Sequence, residues 1–113
     1  MLRHDRLYLE DIIESCDKVV VYRSRIDFDD FRRHDWEYDG IVRQLSIIGE
    51  AARSLTDETR DQLPGVDWAR IGRFRNLVIH RYFNLDDDVL WDICNTDVSA
   101  LLIQIRALLE RPS

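Results

Sequence analysis

A chain of 113 residues with a formal charge of −6 has room for one domain around a single modest core. Its acidity excludes a protein coated in nucleic acid, which is usually basic overall, but leaves open a local phosphate pocket. No run is long and apolar enough to cross a membrane, and the start, Met1-Leu2-Arg3-His4-Asp5, lacks the apolar stretch of a signal peptide, so a cytoplasmic protein is expected.

The first helix is expected from about Asp5 to Tyr22, with Leu2, Leu9, Ile13, Cys16 and Val20 as its apolar stripe. Arg23 to Asp35 is polar and irregular; Asp27 or Asp29 is placed to cap a short turn around Phe31. A second long helix spans roughly Trp36 to Leu55. Ile41, Leu45, Ile48, Ala52 and Leu55 follow alternating four- and three-residue steps, the seam of a helix packed lengthwise on others. Gly49 inside it costs about 1 kcal/mol relative to alanine, a cost that a close helix crossing would explain.

Thr56-Asp57-Glu58-Thr59 starts a short helical turn, with Thr56 or Asp57 as its cap, that Leu63-Pro64-Gly65 ends, and Asp67 caps a third helix. Asn84-Leu85-Asp86-Asp87 breaks the chain. A final helix runs from Asp87 to about Leu109, with Leu90, Cys94, Val98, Leu101, Ile105 and Leu108 as its stripe. Trp91 either widens that stripe or lies at a partner interface. No segment shows two-residue alternation, so no sheet is expected. The expected fold is all-α: an antiparallel up-and-down bundle of four main helices plus short helical turns, in one domain over residues 1–113. The wide apolar edges fit either a dimer or a fuller monomer core.

Cys16 and Cys94 fall on apolar stripes and read as reduced core residues. No cysteine or histidine spacing suggests a metal, and no cofactor is expected. His4 and His34 read as incidental surface residues.

The third helix carries the chemistry. Gly72-Arg73-Phe74-Arg75-Asn76-Leu77-Val78-Ile79-His80-Arg81-Tyr82-Phe83 crowds arginine, amide, imidazole and phenol together. From Trp68 to Leu85 there is no carboxylate, while Arg70, Arg73, Arg75 and Arg81 fall inside, a local cation cluster suited to an anion. At about 100° per residue, Arg75 and Tyr82 align, Asn76 and His80 share another stripe with Arg73, and Arg75 and His80 diverge by about 140°. Arg75 and His80 meet on one ligand only at a helix end, in a loosened turn, or across a second subunit. The bland alternative makes Leu77, Val78, Ile79 and Phe83 core, pairs Arg75 with a carboxylate, and leaves His80 a helix-terminal histidine.

Arg75-Asn76, three residues, His80, one residue and Tyr82 resemble the motif of the HEPN superfamily. Ile47-Ile48-Gly49-Glu50-Ala51-Ala52, Trp68, Ile71-Gly72, Tyr82-Phe83 and Val89-Leu90-Trp91 resemble one branch in matching order, the HepT toxins of HepT/MntA toxin–antitoxin modules. Arg81 departs from the small residue expected there. The resemblance implies a bundle like the substrate-binding subunits of nucleotidyltransferases, and a metal-independent endoribonuclease acting as a homodimer, with two motifs facing one cleft. It implies His80 as the acid/base, Arg75 as the phosphate clamp, and Asn76, Arg73 and Glu50 in support, Glu50 holding an arginine or simply solvated. It also implies a nucleotidyltransferase antitoxin of the MntA type that transfers AMP to Tyr82. The competing reading is a non-catalytic substrate-binding subunit of a separate minimal nucleotidyltransferase.

Overall fold

The computed structural model describes residues 1–77 and 86–111. Two antiparallel helices, α1 (Arg3–Ser24) and α3 (Trp36–Ser54), form its spine. At one end Tyr22 of α1 meets Trp36 of α3 edge-on, ring centroids 6.3 Å apart. At the other, Asp5 reaches across to the residues that follow α3. Its Oδ2 accepts hydrogen bonds from Thr56 Oγ1 and Thr59 Oγ1, both at 2.6 Å, and its Oδ1 accepts from Thr56 N at 3.1 Å. Burial pushes the Asp5 carboxyl pKa up, but the donors from Thr56 and Thr59 together outweigh it and hold the group below its ordinary value.

This tie corrects the stripe expected on α1. The structure buries Leu9, Ile12, Cys16 and Val19, with Asp5 in register before them, while Leu2 and Val20 are exposed and Ile13 only half-buried. Leu9 and Cys16 of the expected stripe are confirmed; the other three positions miss the register that Asp5 begins, because an apolar search passes over a carboxylate. On α3 the expected seam of Ile41, Leu45, Ile48 and Ala52 is buried in full, continuing to Leu55 beyond its end.

The links are short and capped by their own side chains. Asp27 caps α2 (Phe28–Phe31), and with Asp30 it forms a reciprocal capping box. Thr56 caps α4 (Asp57–Asp61), and Asp67 caps α5 (Trp68–Gly72) by accepting from Arg70 N at 3.0 Å. After residue 85, Asp86 caps α6 (Asp87–Asp92), which passes through a π-helical turn (Ile93–Asp97) into α7 (Val98–Leu109). The stripe expected along this last segment, Leu90 through Leu108, is buried throughout. Inside the π turn Asp97 Oδ2 accepts from Arg70 Nε at 2.6 Å, which fastens α5 to the last helical segment. Asp97's hydrogen bond holds the Arg70 guanidinium pKa above its usual value.

Trp91 belongs to the chain's own packing. Its ring lies 5.1 Å from Phe31 and 5.6 Å from Phe28, with the Arg23 guanidinium 4.0 Å over its face. Cys16 and Cys94 are buried free thiols, and burial pushes each up to about 12. His34 departs from its expected role as an incidental surface residue. It sits at φ 56°, stacks on Tyr38 at 4.0 Å, and places Nε2 2.9 Å from Asp87 Oδ1. It thereby ties the link before α3 to the first residue of α6. His4 likewise lies 3.5 Å from Asp5 Oδ1.

Among the described residues all regular structure is helical, and no helix is long and apolar enough to cross a membrane.

Candidate functional site

Of the expected cation cluster, Arg73 and Arg75 sit on the turn that follows α5, while Arg70 lies within α5 and is paired with Asp97. Residues Arg73–Asn76 form a 3₁₀ helix rather than continuing the α-helix expected from sequence. Each residue of such a turn advances about 120° instead of 100°, so the angular register expected for Arg73, Arg75 and Asn76 is altered from its start. Phe74 points inward at 3% exposure, flanked by exposed Arg73 and Arg75, with Asn76 and Leu77 half-buried. One buried aromatic thus anchors the turn while both guanidinium groups face solvent.

Gly49 decides how close this turn comes to the bundle. A Cβ there would overlap Arg75 N and lie 2.9 Å from the Phe74 carbonyl carbon and 3.1 Å from Arg75 Cα. Only a residue without a side chain lets the backbone of the turn rest on α3. The close crossing expected at Gly49 is therefore present, and its partner is the arginine turn. One helical turn further along α3, Arg53 lays its stem over the next contact: a Cβ at Gly72 would meet Arg53 Cγ at 3.2 Å. The turn and α3 run past each other with Gly49 under residues 74–75 and Arg53 beside residue 72.

Among the described residues neither Arg73 nor Arg75 pairs with a carboxylate. The bland assignment of Arg75 to an ion pair is not seen there, and both exposed guanidinium groups carry charge suited to an anion. Glu50, expected either to hold an arginine or to be solvated, is exposed and lines a groove with Tyr8 and Asp11 between α1 and α3. Among the described residues it makes no ion pair with Arg73 or Arg75. His80 and Tyr82, the expected acid/base and modification site, lie outside the described residues, as does Arg81. The structure therefore brings Arg73, Arg75 and Asn76 together on one turn. Among the described residues no three His, Cys, Asp or Glu side chains converge to hold a metal ion.

Two neighbours escaped the sequence reading. Arg53 gave only the signal of a basic residue four positions after Gly49, which matters once the crossing is known. Arg60 lies on a separate short helix, and nothing in the chain's order points it toward Trp68.

A family model described as HepT-like, ribonuclease HepT-like, matches residues 12–108. The chain is 35% identical over 96 residues to "Putative RNase MJ1380" of Methanocaldococcus jannaschii, covering 85% of this chain and 88% of that protein. It is 33% identical over 101 residues to "Probable ribonuclease HepT" of Thermococcus cleftensis, covering 89% and 92%. It is 30% identical over 110 residues to "Putative RNase TTE0752" of Caldanaerobacter subterraneus, covering 97% and 98%. No solved structure gives a significant match. A match across nearly the whole chain, in a fold that presents the arginine turn on a bare glycine, places this protein in the ribonuclease HepT-like family.

Proposed function

We propose that this protein is a metal-independent endoribonuclease that works as a homodimer and serves as the toxin of a toxin–antitoxin module. The observation that carries the reading is the pair of guanidinium groups Arg73 and Arg75, exposed and without an ion-pair partner among the described residues, on a turn seated against Gly49. Relatives that cover most of the chain carry ribonuclease names.

RNA supplies its own nucleophile. The ribose 2′-oxygen attacks the adjacent phosphorus, the bond to the 5′-oxygen breaks, and a 2′,3′-cyclic phosphate and a free 5′-hydroxyl result. One group must remove the 2′ proton and another must protonate the departing 5′-oxygen. His80 is assigned that work because an imidazole titrates near neutrality. Arg75 neutralises the charge that builds on the phosphorane oxygens, with Arg73 adding to the local field. Asn76 orients His80 or the substrate. A single imidazole does not easily perform both proton transfers at once, so two protomers contribute one motif each to a shared cleft.

A nucleotidyltransferase antitoxin silences the enzyme by transferring AMP to Tyr82. The added phosphate puts negative charge and bulk where substrate phosphate binds.

The test is incubation of the purified protein with RNA in excess EDTA. Cleavage is expected, with 2′,3′-cyclic ends, and it should vanish in His80→Ala and fall sharply in Arg75→Ala. The reading fails if no RNA is cut, or if His80→Ala cuts as well as wild type. With the partner and ATP, the protein should gain AMP mass, and Tyr82→Phe should gain none.

A further inference from the structure

Beside the arginine turn lies a second open groove, of about 490 Å³, lined by Arg53, Arg60, Trp68, Ala69 and Gly72. We propose that it is a binding subsite for single-stranded RNA, taking one nucleotide that flanks the scissile phosphate: the base stacks on Trp68 and its phosphate lies between Arg53 and Arg60. The inference rests on the ribonuclease reading for the identity of the strand, and on the groove itself for its place.

The groove has the parts that such a site needs. Its volume lies within the range of pockets that enclose a nucleotide-sized ligand. Trp68 is half-buried, and its indole Nε1 donates to Arg60 O at 3.1 Å, so the ring plane is fixed and its polar edge satisfied. A fixed aromatic face offers stacking to any base. Arg53 is exposed and has no ion-pair partner among the described residues. Arg60 NH2 is held 2.6 Å from Asp57 Oδ1, but that carboxylate is 92% exposed. An exposed pair of this kind exchanges its partner at little cost, and a phosphate offers the same planar fork a second anion to grip.

The groove also adjoins the arginine turn. Gly72 forms its wall, and exposed Arg73 follows directly. Gly49 and Arg53 are one turn apart on α3, about 6 Å along the axis. Gly49 seats the backbone of Arg75, and Arg53 overlies Gly72. A strand gripped at Arg75 would therefore pass Arg73 and enter the groove at Arg53.

The probe is a fluorescein-labelled 2′-O-methyl RNA dodecamer of mixed sequence, which lacks the nucleophile and stays intact on the wild-type protein. Fluorescence anisotropy measures its affinity between about 50 and 200 mM salt. The double variant Arg53→Ala/Arg60→Ala is expected to bind about tenfold more weakly, with the salt slope reduced by roughly 0.7, the value for one lost phosphate contact on a single strand. Trp68→Leu is expected to lose at least about fivefold with an unchanged slope, because stacking releases no counterions. Arg32→Ala/Arg33→Ala removes the same charge from the α2 end and is expected to leave affinity as it is. Melting curves accompany each variant; should Trp68→Leu fail to fold, the arginine pairs decide alone.

Wild-type affinity in Arg53→Ala/Arg60→Ala overturns the subsite. An equal loss in Arg32→Ala/Arg33→Ala also overturns it, since only the overall field would then act. So does retained RNA affinity with lost co-purification of a nucleotidyltransferase partner, which would make the groove a protein surface. Cleavage of unmodified RNA is scored separately. Groove-dependent binding without cleavage sinks only the ribonuclease reading, and cleavage with groove-independent affinity sinks only the subsite.

Discussion

Replacing Gly49 by alanine tests whether the arginine turn is truly seated on α3. In an ordinary helix interior the change would stabilise the chain by about 1 kcal/mol. Here the new Cβ would overlap Arg75 N and press on the Phe74 carbonyl carbon at 2.9 Å, and both are backbone atoms that cannot rotate away. The turn must retreat by roughly 1 Å, and because the obstacle is backbone the cost falls in the upper part of the overpacking range, about 2–3 kcal/mol. The expected balance is a loss of about 1–2 kcal/mol, which for a chain of this size lowers Tm by roughly 4–8 °C. Displacing a phosphate clamp by that distance should also cut RNA cleavage by about tenfold or more, since misplacements of about 1 Å can cost a hundredfold. Circular dichroism melting and a cleavage assay at saturating RNA read the two effects. Gly40→Ala is the control, because its Cβ would meet only the Tyr22 ring, at 3.2–3.5 Å. It should be neutral or mildly stabilising. If Gly49→Ala melts at or above the wild-type temperature and cleaves at the wild-type rate, the seating of the turn on Gly49 is wrong.

Asp5→Ala should cost about 3 kcal/mol, since it orphans three donors from Thr56 and Thr59 in a buried site; urea denaturation measures it. Because the folded Asp5 pKa is lowered, its stabilisation is complete above the unfolded value of about 3.9 and is lost as pH falls through the folded value. Urea midpoints taken from about pH 5 downward should therefore fall more steeply for wild type than for Asp5→Asn. Cys16 and Cys94, pushed up to about 12, should stay unreactive toward a thiol reagent near pH 8 until denaturant is added; rapid labelling of the native protein would show that the packing around them is wrong. His34→Ala removes both the contact with Asp87 and the stack on Tyr38, and should lower stability by about 1 kcal/mol in the same denaturation assay.

What the sequence by itself determined is the set of helices whose burial follows one apolar period. The seams of α3 and of the final segment stand out because a residue every three or four positions is enough to mark them. The cap at Asp67 was equally legible, and the structure chose Thr56 over Asp57 for the helix before it, since a short polar side chain just ahead of a helix can satisfy its first N–H groups. The cation cluster around Arg73 and Arg75 was also plain from the absence of any carboxylate between Trp68 and Leu85. The stripe of α1 was legible only at Leu9 and Cys16, because Asp5 occupies a core register and its partners lie more than fifty positions away. Nor could the sequence make Arg73–Asn76 a 3₁₀ turn, pair His34 with Asp87, or gather Arg53, Arg60 and Trp68 around one groove. Each of those depends on contact between segments remote along the chain. Periodicity records which face of a helix avoids water; only the folded molecule decides which backbone comes to rest on a bare glycine.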